Sequence, residues 1–500
     1  MPEMKDKKFS KYFYNRISYL GVILSIVVAI GEVFLFGIDL LIGYSNNYLS
    51  LFSYMILPPF LIIGLLLIPL GAWLERRRSL SGRAAADQHT FFIDLSNPSH
   101  RNACIIFFVG TILFLLMTAV GSYKAFHYTE SVAFCGTTCH TVMKPEYTAY
   151  LQSPHARVKC VDCHIGSGVS WYMHSKLSGL RQVVKTIRND FDRPIGVPVR
   201  DLRPAKDTCE ECHWPGKSFS AIELNRSYFP VEPGETDRWN LSMLMKVSGS
   251  DQGNYGIHAH MNNNNSIFYV ADDDMRQKIS WVKSVGNDGG ETVYTSPDSP
   301  YLKMPPPAGK VRKMDCMDCH SRPSHHFQAP VPLVDRAMAA GKISVNIPQI
   351  KAKAVEVMAR KYATEEEGVN SIRNALLAFY KEKHSAYFAA HQQEIEESIE
   401  GVIFLYKTNF FPEMKVRWEA YPDNIGHMIS DGCFRCHDDQ HKSSAGKTIT
   451  RDCDSCHSII RQGPSGSMEK DADGLPFKHP FDGSDESWKE MNCTACHTGS

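Results

Sequence analysis

The sequence lacks several things at once, and each absence narrows what the chain can be. It carries no net charge, with 54 Lys and Arg against 54 Asp and Glu, and no basic run of the kind that grips a phosphate backbone, which excludes nucleic acid as a partner. It has no cysteine pair to spare. Of 15 cysteines, fourteen fall in seven Cys-…-Cys-His triplets and Cys104 is left without a mate, which excludes a disulfide framework. No small-residue cleavage site follows the first apolar run, so that run is an anchor and not a removable signal peptide. Residues 431–500, rich in Gly, Asp, Ser and His, show little hydrophobic periodicity and so promise no ordinary apolar core.

What is present begins with three apolar runs. A short basic N-terminus, residues 1–16, precedes runs at about 17–43, 51–73 and 104–121, each long enough for a membrane span of about 20 residues. Lys5, Lys7, Lys8, Lys11 and Arg16 before the first run, and Arg76, Arg77, Arg78 and Arg83 in the loop 74–103, place both segments in the cytoplasm by the positive-inside rule. Three spans then deliver residues 122–500 to the far side. Glu32 and Asp39 lie within the first run, and an ionisable residue inside a span is a candidate for proton handling.

The triplets carry the chemistry. They are Cys135/Cys139/His140, Cys160/Cys163/His164, Cys209/Cys212/His213, Cys316/Cys319/His320, Cys433/Cys436/His437, Cys453/Cys456/His457 and Cys493/Cys496/His497. Two cysteines followed at once by His form the attachment signature of a c-type haem: two thioethers hold the porphyrin and the His supplies an axial iron ligand. Zinc would need four ligands from paired motifs and gives no reason for a His directly after every second Cys. The first triplet is irregular, with three residues between its cysteines. Attachment of this kind is completed outside the cytoplasm, in agreement with the span count. The expected fold is therefore a membrane-anchored multihaem cytochrome c. Three N-terminal transmembrane helices lead into a mainly α and loop periplasmic part folded around seven haems, with the porphyrins forming much of the core. Its expected parts are a four-haem domain at 122–330 with a small β-rich insert at about 215–310, a helical segment at 331–412 and a three-haem domain at 413–500.

Each iron wants a second axial ligand, six-coordinate if it only passes electrons. The candidates are His155, His427 and His441, close to a triplet in sequence; His479, in the loop before the last; and one of His325 and His326, just after the fourth. His258 and His260, two apart on an expected strand, share a face, so that one reaches a haem. His174 is a further candidate, and His384 and His391 read as surface residues. At the first triplet Met143 is the nearby candidate, making the ligand there His140 or Met143.

An anchor followed by FCGTTCHTVM, then SPH and CVDCH, then a Lys-containing helix and CEECH, resembles the NapC/NirT/NrfH family of membrane-bound quinol dehydrogenases over roughly residues 105–330. The longer layout, with GIHAHM, CMDCHSRPSHHF and DGCFRCHDDQH, is similar to the seven-haem inner-membrane cytochromes of metal-reducing bacteria, the ImcH-like group. The resemblance implies menaquinol oxidation beside the first haem, with Met ligation there. It implies delivery of electrons to periplasmic multihaem cytochromes, and a Lys lining the quinol pocket, matched here by Lys176. The Asp expected a few residues later is replaced by Gln182. It further implies that His155 ligates the fourth haem. Relatives commonly have one span and two residues between the first cysteines, and this chain departs from both. The expected partners are the menaquinone pool, the inner membrane, periplasmic cytochromes and subunits of a membrane oxidoreductase. An electron-relay or docking subunit is the alternative reading, and a terminal reductase of the nitrite type a lesser one.

Overall fold

The computed structural model describes residues 11–42, 56–80, 95–96, 98–138, 140–166, 169–196, 204–213, 221–230, 238–248, 256–261, 265–286, 288–480 and 487–497. The chain divides into two compact units, Met1–His140 and Thr141–Ser500.

The first unit is built on α1 (Arg16–Ile42), α2 (Leu57–Leu80) and α3 (Pro98–Thr129). Long apolar runs become helices because only a helix satisfies its backbone polar groups within one segment. α1 and α2 pack along a seam of small residues. A Cβ added to Gly21 would lie 2.6 Å from the Gly64 carbonyl oxygen, and one added to Gly64 would lie 2.6 Å from Ser25 Oγ. Ser18 Oγ donates to the Ile68 carbonyl oxygen at 2.9 Å across the same seam. Backbones approach this closely only where side chains are absent or tiny, the usual route to helix association in lipid. Ile23, Val27, Ile30, Ile62 and Leu66 stay exposed on the outward faces. Among the described residues two helices, Arg16–Leu35 and Leu57–Ser79, are long and apolar enough to cross a membrane. The third run is also helical, although α3 extends well beyond it at both ends, with Ile105, Phe108 and Ile112 exposed. Residues 51–55 of the expected second span, and the side chains of Asp39 and Cys104, lie outside the described residues.

In the second unit, α4 (Val169–Ile187) precedes the strands, and α5 (Pro330–Ala339), α6 (Ile350–Ala359), α7 (Glu365–Lys383) and α8 (Gln392–Asn409) form the apolar core. Ile372, Leu376 and Tyr380 on α7 recur every fourth residue and are completely buried against Ile395, Ile399, Val402 and Tyr406 of α8. Thr364 Oγ1 caps α7 by accepting from the Glu367 amide at 3.1 Å. Glu365–Glu367 at its start and Lys381 and Lys383 at its end complement the helix dipole.

Nine strands make two antiparallel sheets among the described residues, more sheet than the small insert alone would supply. One has the order β1-β2-β8-β9 and the other β6-β3-β4-β5-β7. The strands are β1 (Ala221–Tyr228), β2 (Trp239–Lys246), β3 (Asn265–Ala271), β4 (Ile279–Gly286), β5 (Glu291–Thr295), β6 (Arg312–Lys313), β7 (Lys442–Ser443), β8 (His457–Pro464) and β9 (Glu469–Leu475). The expected insert at 215–310 is strand-rich, but it is no lobe of its own. β2 pairs with β8 from Trp239 opposite Pro464 to Met245 opposite His457, and β5 pairs with β7. The insert and the C-terminal triplets thus share both sheets, so the 122–330 and 413–500 segments are joined. An unpaired β2 edge would leave a row of open backbone groups, and β8 covers it. The alternation of apolar residues marks a strand; it does not name the strand's partner.

A buried ion pair ties β1 to the helical core. Lys351 Nζ lies 2.7 Å from Asp335 Oδ1 and donates to the Phe229 carbonyl oxygen at 2.6 Å, while Asp335 accepts from the Phe229 amide at 3.2 Å. Burial raises the Asp335 pKa, and Lys351 works against that rise. Lys351→Met leaves the carboxylate unpaired and should lower stability by about 3–5 kcal/mol. The double variant Lys351→Met/Asp335→Leu should recover most of the loss. Thermal unfolding of both variants checks this; equal losses would contradict it.

Candidate haem sites

Each triplet from the second onward is built on a tight helical turn. The turns are Cys160–His164, Ala205–Cys209, Cys316–Cys319, Gly432–Arg435, Cys453–Ser455 and Cys493–Ala495. The motif His amide donates to the first Cys carbonyl oxygen at 2.7 Å in His213, 2.8 Å in His320, 3.0 Å in His437 and 2.8 Å in His497. That bond curls the second Cys and the His back over the first. Acidic residues hold several of the turns: Asp315 Oδ1 accepts from the Met317 amide at 2.9 Å, and Asp452 Oδ1 from the Asp454 amide at 3.1 Å.

Among the attachment cysteines Cys212, Cys453 and Cys496 are exposed and Cys209 and Cys493 half-buried, so these thiols are reachable for thioether formation.

Six motif histidines each face a second imidazole drawn from another part of the chain. Ring centres are 6.1 Å apart for His164 and His325, 6.0 Å for His213 and His155, and 6.4 Å for His320 and His258. They are 5.9 Å apart for His437 and His260, 6.3 Å for His457 and His427, and 5.9 Å for His497 and His479. Two imidazoles bonded at about 2 Å to opposite sides of one first-row metal ion have ring centres roughly 6 to 6.5 Å apart, so a porphyrin iron fits each gap.

The outer nitrogens are anchored as well. Nδ1 faces a backbone carbonyl oxygen in His325 (Glu146, 2.9 Å), His260 (Ile257, 2.7 Å), His437 (Thr450, 2.8 Å), His479 (Pro480, 3.1 Å) and His155 (Pro323, 3.4 Å). A carbonyl only accepts, so Nδ1 carries the proton and the Nε2 lone pair is left for a metal. Burial lowers the pKa of His164, His258, His260, His320, His457 and His497, and takes His325 and His427 to about 4, which keeps these rings neutral.

Several expected roles change. His441, close to the fifth triplet in sequence, is no distal ligand: its Nδ1 lies 2.9 Å from Asp438 Oδ2 and its Nε2 3.1 Å from the Ile279 carbonyl oxygen, so both nitrogens are committed. His326 turns outward to Asp423 at 3.0 Å, which leaves His325 as the inward member of that pair. His258 and His260 lie on a 3-10 turn, Ile257–His260, where they point to different triplets, and both are used. His155 faces the third triplet's His213 and not the fourth. His174 is exposed on α4 beside Trp171.

At the first triplet Cys135 lies on a short helix, Val132–Thr137, capped by Ser131 Oγ on the Phe134 amide at 3.1 Å. Cys139 and the side chain of His140 lie outside the described residues, and Met143 is half-buried on the helix His140–Leu151. Lys176 is half-buried on α4 and Gln182 is exposed there. Glu32 Oε1 is buried in the first unit with no hydrogen-bond partner among the described residues.

One polar network escaped sequence reading. Asp318, inside the fourth triplet, is buried and accepts from Tyr269 Oη at 2.7 Å, Arg276 Nη1 at 2.8 Å and Arg312 Nε at 3.1 Å. Arg435, inside the fifth, donates to the Asp318 carbonyl oxygen at 2.9 Å and the Arg276 carbonyl oxygen at 2.7 Å. The intervening residues of a triplet carry no signature, so nothing in the sequence marks these two. The triplets also follow one another in space. The nearness of the Cys209 and Cys316 thiols raises the pKa of the first and lowers that of the second. Cys163 is within electrostatic reach of Cys209, Cys433 of Cys319 and Cys456, and Cys453 of Cys493.

Attachment triplets and opposed imidazoles define a multihaem c-type cytochrome, a protein that binds haem c covalently and transfers electrons. Residues 97–197 match the NapC/NirT cytochrome c family, N-terminal region. Over 99% of its length the chain is 36% identical to the cytochrome c-type protein ImcH of Geobacter sulfurreducens, 97% of which is covered. The chain belongs to this family of membrane cytochromes, anchored through its N-terminal apolar helices. No solved structure matches it.

Replacing His325 or His427 by Ala should open one iron each and convert one low-spin haem to high-spin, read by electron paramagnetic resonance of the oxidised protein. His441→Ala should leave the low-spin population intact while lowering thermal stability, and a high-spin signal from it would restore His441 as a ligand.

Proposed function

We propose that the chain is a membrane-bound quinol dehydrogenase. It oxidises menaquinol at the periplasmic face of the inner membrane and passes the electrons along seven covalently bound haem c groups to periplasmic cytochromes or an extracellular-reduction pathway. In this reading α1, α2 and α3 are three spans, and the N-terminus and the loop 74–103 are cytoplasmic.

The observation that carries the reading is the set of six opposed imidazole pairs. An iron held between two imidazoles has no open position for a small substrate, which favours a relay over a terminal reductase. The first triplet, which follows directly on α3, is then the point of entry. When bound, each haem supplies a one-electron acceptor and donor at its iron. Oxidising one quinol also releases two protons, which this chain's side chains must accept. Gln182, an amide, can orient a quinol hydroxyl but cannot take its proton. The carboxylates of Glu32 and Asp39 are able to do so, while the Lys176 ammonium, which only donates, can hold a quinol oxygen. A Met143 thioether on the first iron raises its potential over that of bis-imidazole neighbours.

The test is anaerobic mixing of the oxidised, detergent-solubilised protein with a reduced menaquinol analogue, followed by haem absorbance. Rapid reduction is expected, slowed about 10- to 100-fold in Lys176→Ala and in Met143→Ala. Haems that stay oxidised with quinol yet reduce with dithionite would overturn the reading and leave a relay subunit fed by another protein.

A further inference from the structure

Two amphipathic helices of the second unit, α4 and α7, treat their apolar faces in opposite ways. On α7 the apolar stripe is fully buried. On α4 it is bare: Met173, Leu177, Leu180, Val184 and Ile187 follow one another at three- and four-residue steps and all are exposed, Leu177 at 65%, Leu180 at 63% and Ile187 at 79%. Single exposed apolar residues are ordinary, but a continuous stripe of large ones along about four turns marks a surface made to be covered.

The charge pattern beside the stripe says by what. From Val169 to Arg188 there are four cations, Lys176, Arg181, Lys185 and Arg188, and no Asp or Glu. At 100° per residue, Arg181, Lys185 and Arg188 fall with His174 along one edge of the apolar face, and all are exposed. Lys176 falls inside the face, where a long stem can lie on apolar surface while its ammonium reaches outward. A helix too charged to span a bilayer, with a large apolar face and a basic edge, lies in the plane of the head groups.

We propose that α4 is an interfacial helix of the outer leaflet. Its Met173–Ile187 stripe sinks into the acyl boundary, and Arg181, Lys185 and Arg188 bind the phosphates of anionic lipids. The inference rests on the membrane anchoring of the family and on the periplasmic placement proposed above, and holds whether or not quinol is the electron donor.

The full-length holoprotein would be reconstituted in bilayers of phosphatidylethanolamine and phosphatidylglycerol, a small fraction of the phosphatidylethanolamine carrying a photoreactive group on its acyl chain near the head. Adducts would be mapped by mass spectrometry, with those on α1 and α2 as the internal standard. The expected result is adducts on residues 173–187. Their yield should fall several-fold in Arg181→Glu/Lys185→Glu/Arg188→Glu, and equally in the unaltered chain when phosphatidylcholine replaces phosphatidylglycerol; haem absorbance confirms that the variant is folded. A helix free of adducts while α1 and α2 are labelled would overturn the proposal, as would cross-links from α4 to a second copy of the chain. Adducts insensitive to both charge reversal and lipid charge would overturn the role of the basic edge.

Discussion

Everything in the second unit depends on holding one imidazole about 6 Å from another across a gap shaped for a porphyrin iron. Neither ring of a pair can do this alone, and in His164 with His325 and His260 with His437 the two come from distant parts of the chain. His325, after the fourth triplet, returns to the second. His258 and His260 reach forward from between the strands to the fourth and fifth. The chain must therefore fold back on itself, and its architecture follows from that need. β2 runs beside β8, and β5 beside β7, because the same segments that exchange histidines also exchange backbone hydrogen bonds. The pinning of Nδ1 by carbonyl oxygens fixes each ring's rotation, so the backbone itself aims the metal-facing nitrogens.

Between the fourth and fifth triplets the same economy recurs with charge. Asp318 would be costly to bury alone, but it is surrounded by Arg276, Arg312 and Tyr269, and Arg435 reaches over from the next triplet to its carbonyl oxygen. Asp318, through its carboxylate and its main-chain carbonyl oxygen, thus ties two neighbouring attachment turns together. From the second triplet to the seventh, thiols of successive triplets lie within electrostatic reach of one another.

Much of this was legible before any coordinates, and what was not has a physical reason. The triplets are local patterns, and so are the apolar runs that became α1 and α2. The Asp288-Gly289 turn between β4 and β5 is local too, since Gly289 takes a positive φ of 75° that glycine adopts without strain. The candidate histidines were also visible, since His155, His258, His260, His325, His427 and His479 were all named. Their pairings were not, because pairing is a long-range fact that spacing does not encode. Nearness in sequence misled at His441, four residues from His437 but turned to Asp438 and to the carbonyl oxygen of Ile279. Reading GIHAHM as a strand put both histidines on one face, whereas the 3-10 turn sends them to separate triplets. The extent of sheet was hidden for a similar reason, since each strand is short and half its partners lie some two hundred residues away.

The most direct test of the account is to count axial ligand sets in the fully oxidised protein by near-infrared magnetic circular dichroism combined with electron paramagnetic resonance. Six irons with the bis-imidazole signature, one for each opposed pair, and a single iron with a different ligand set are predicted. Two or more high-spin irons, or a histidine–methionine signature from more than one iron, would contradict it.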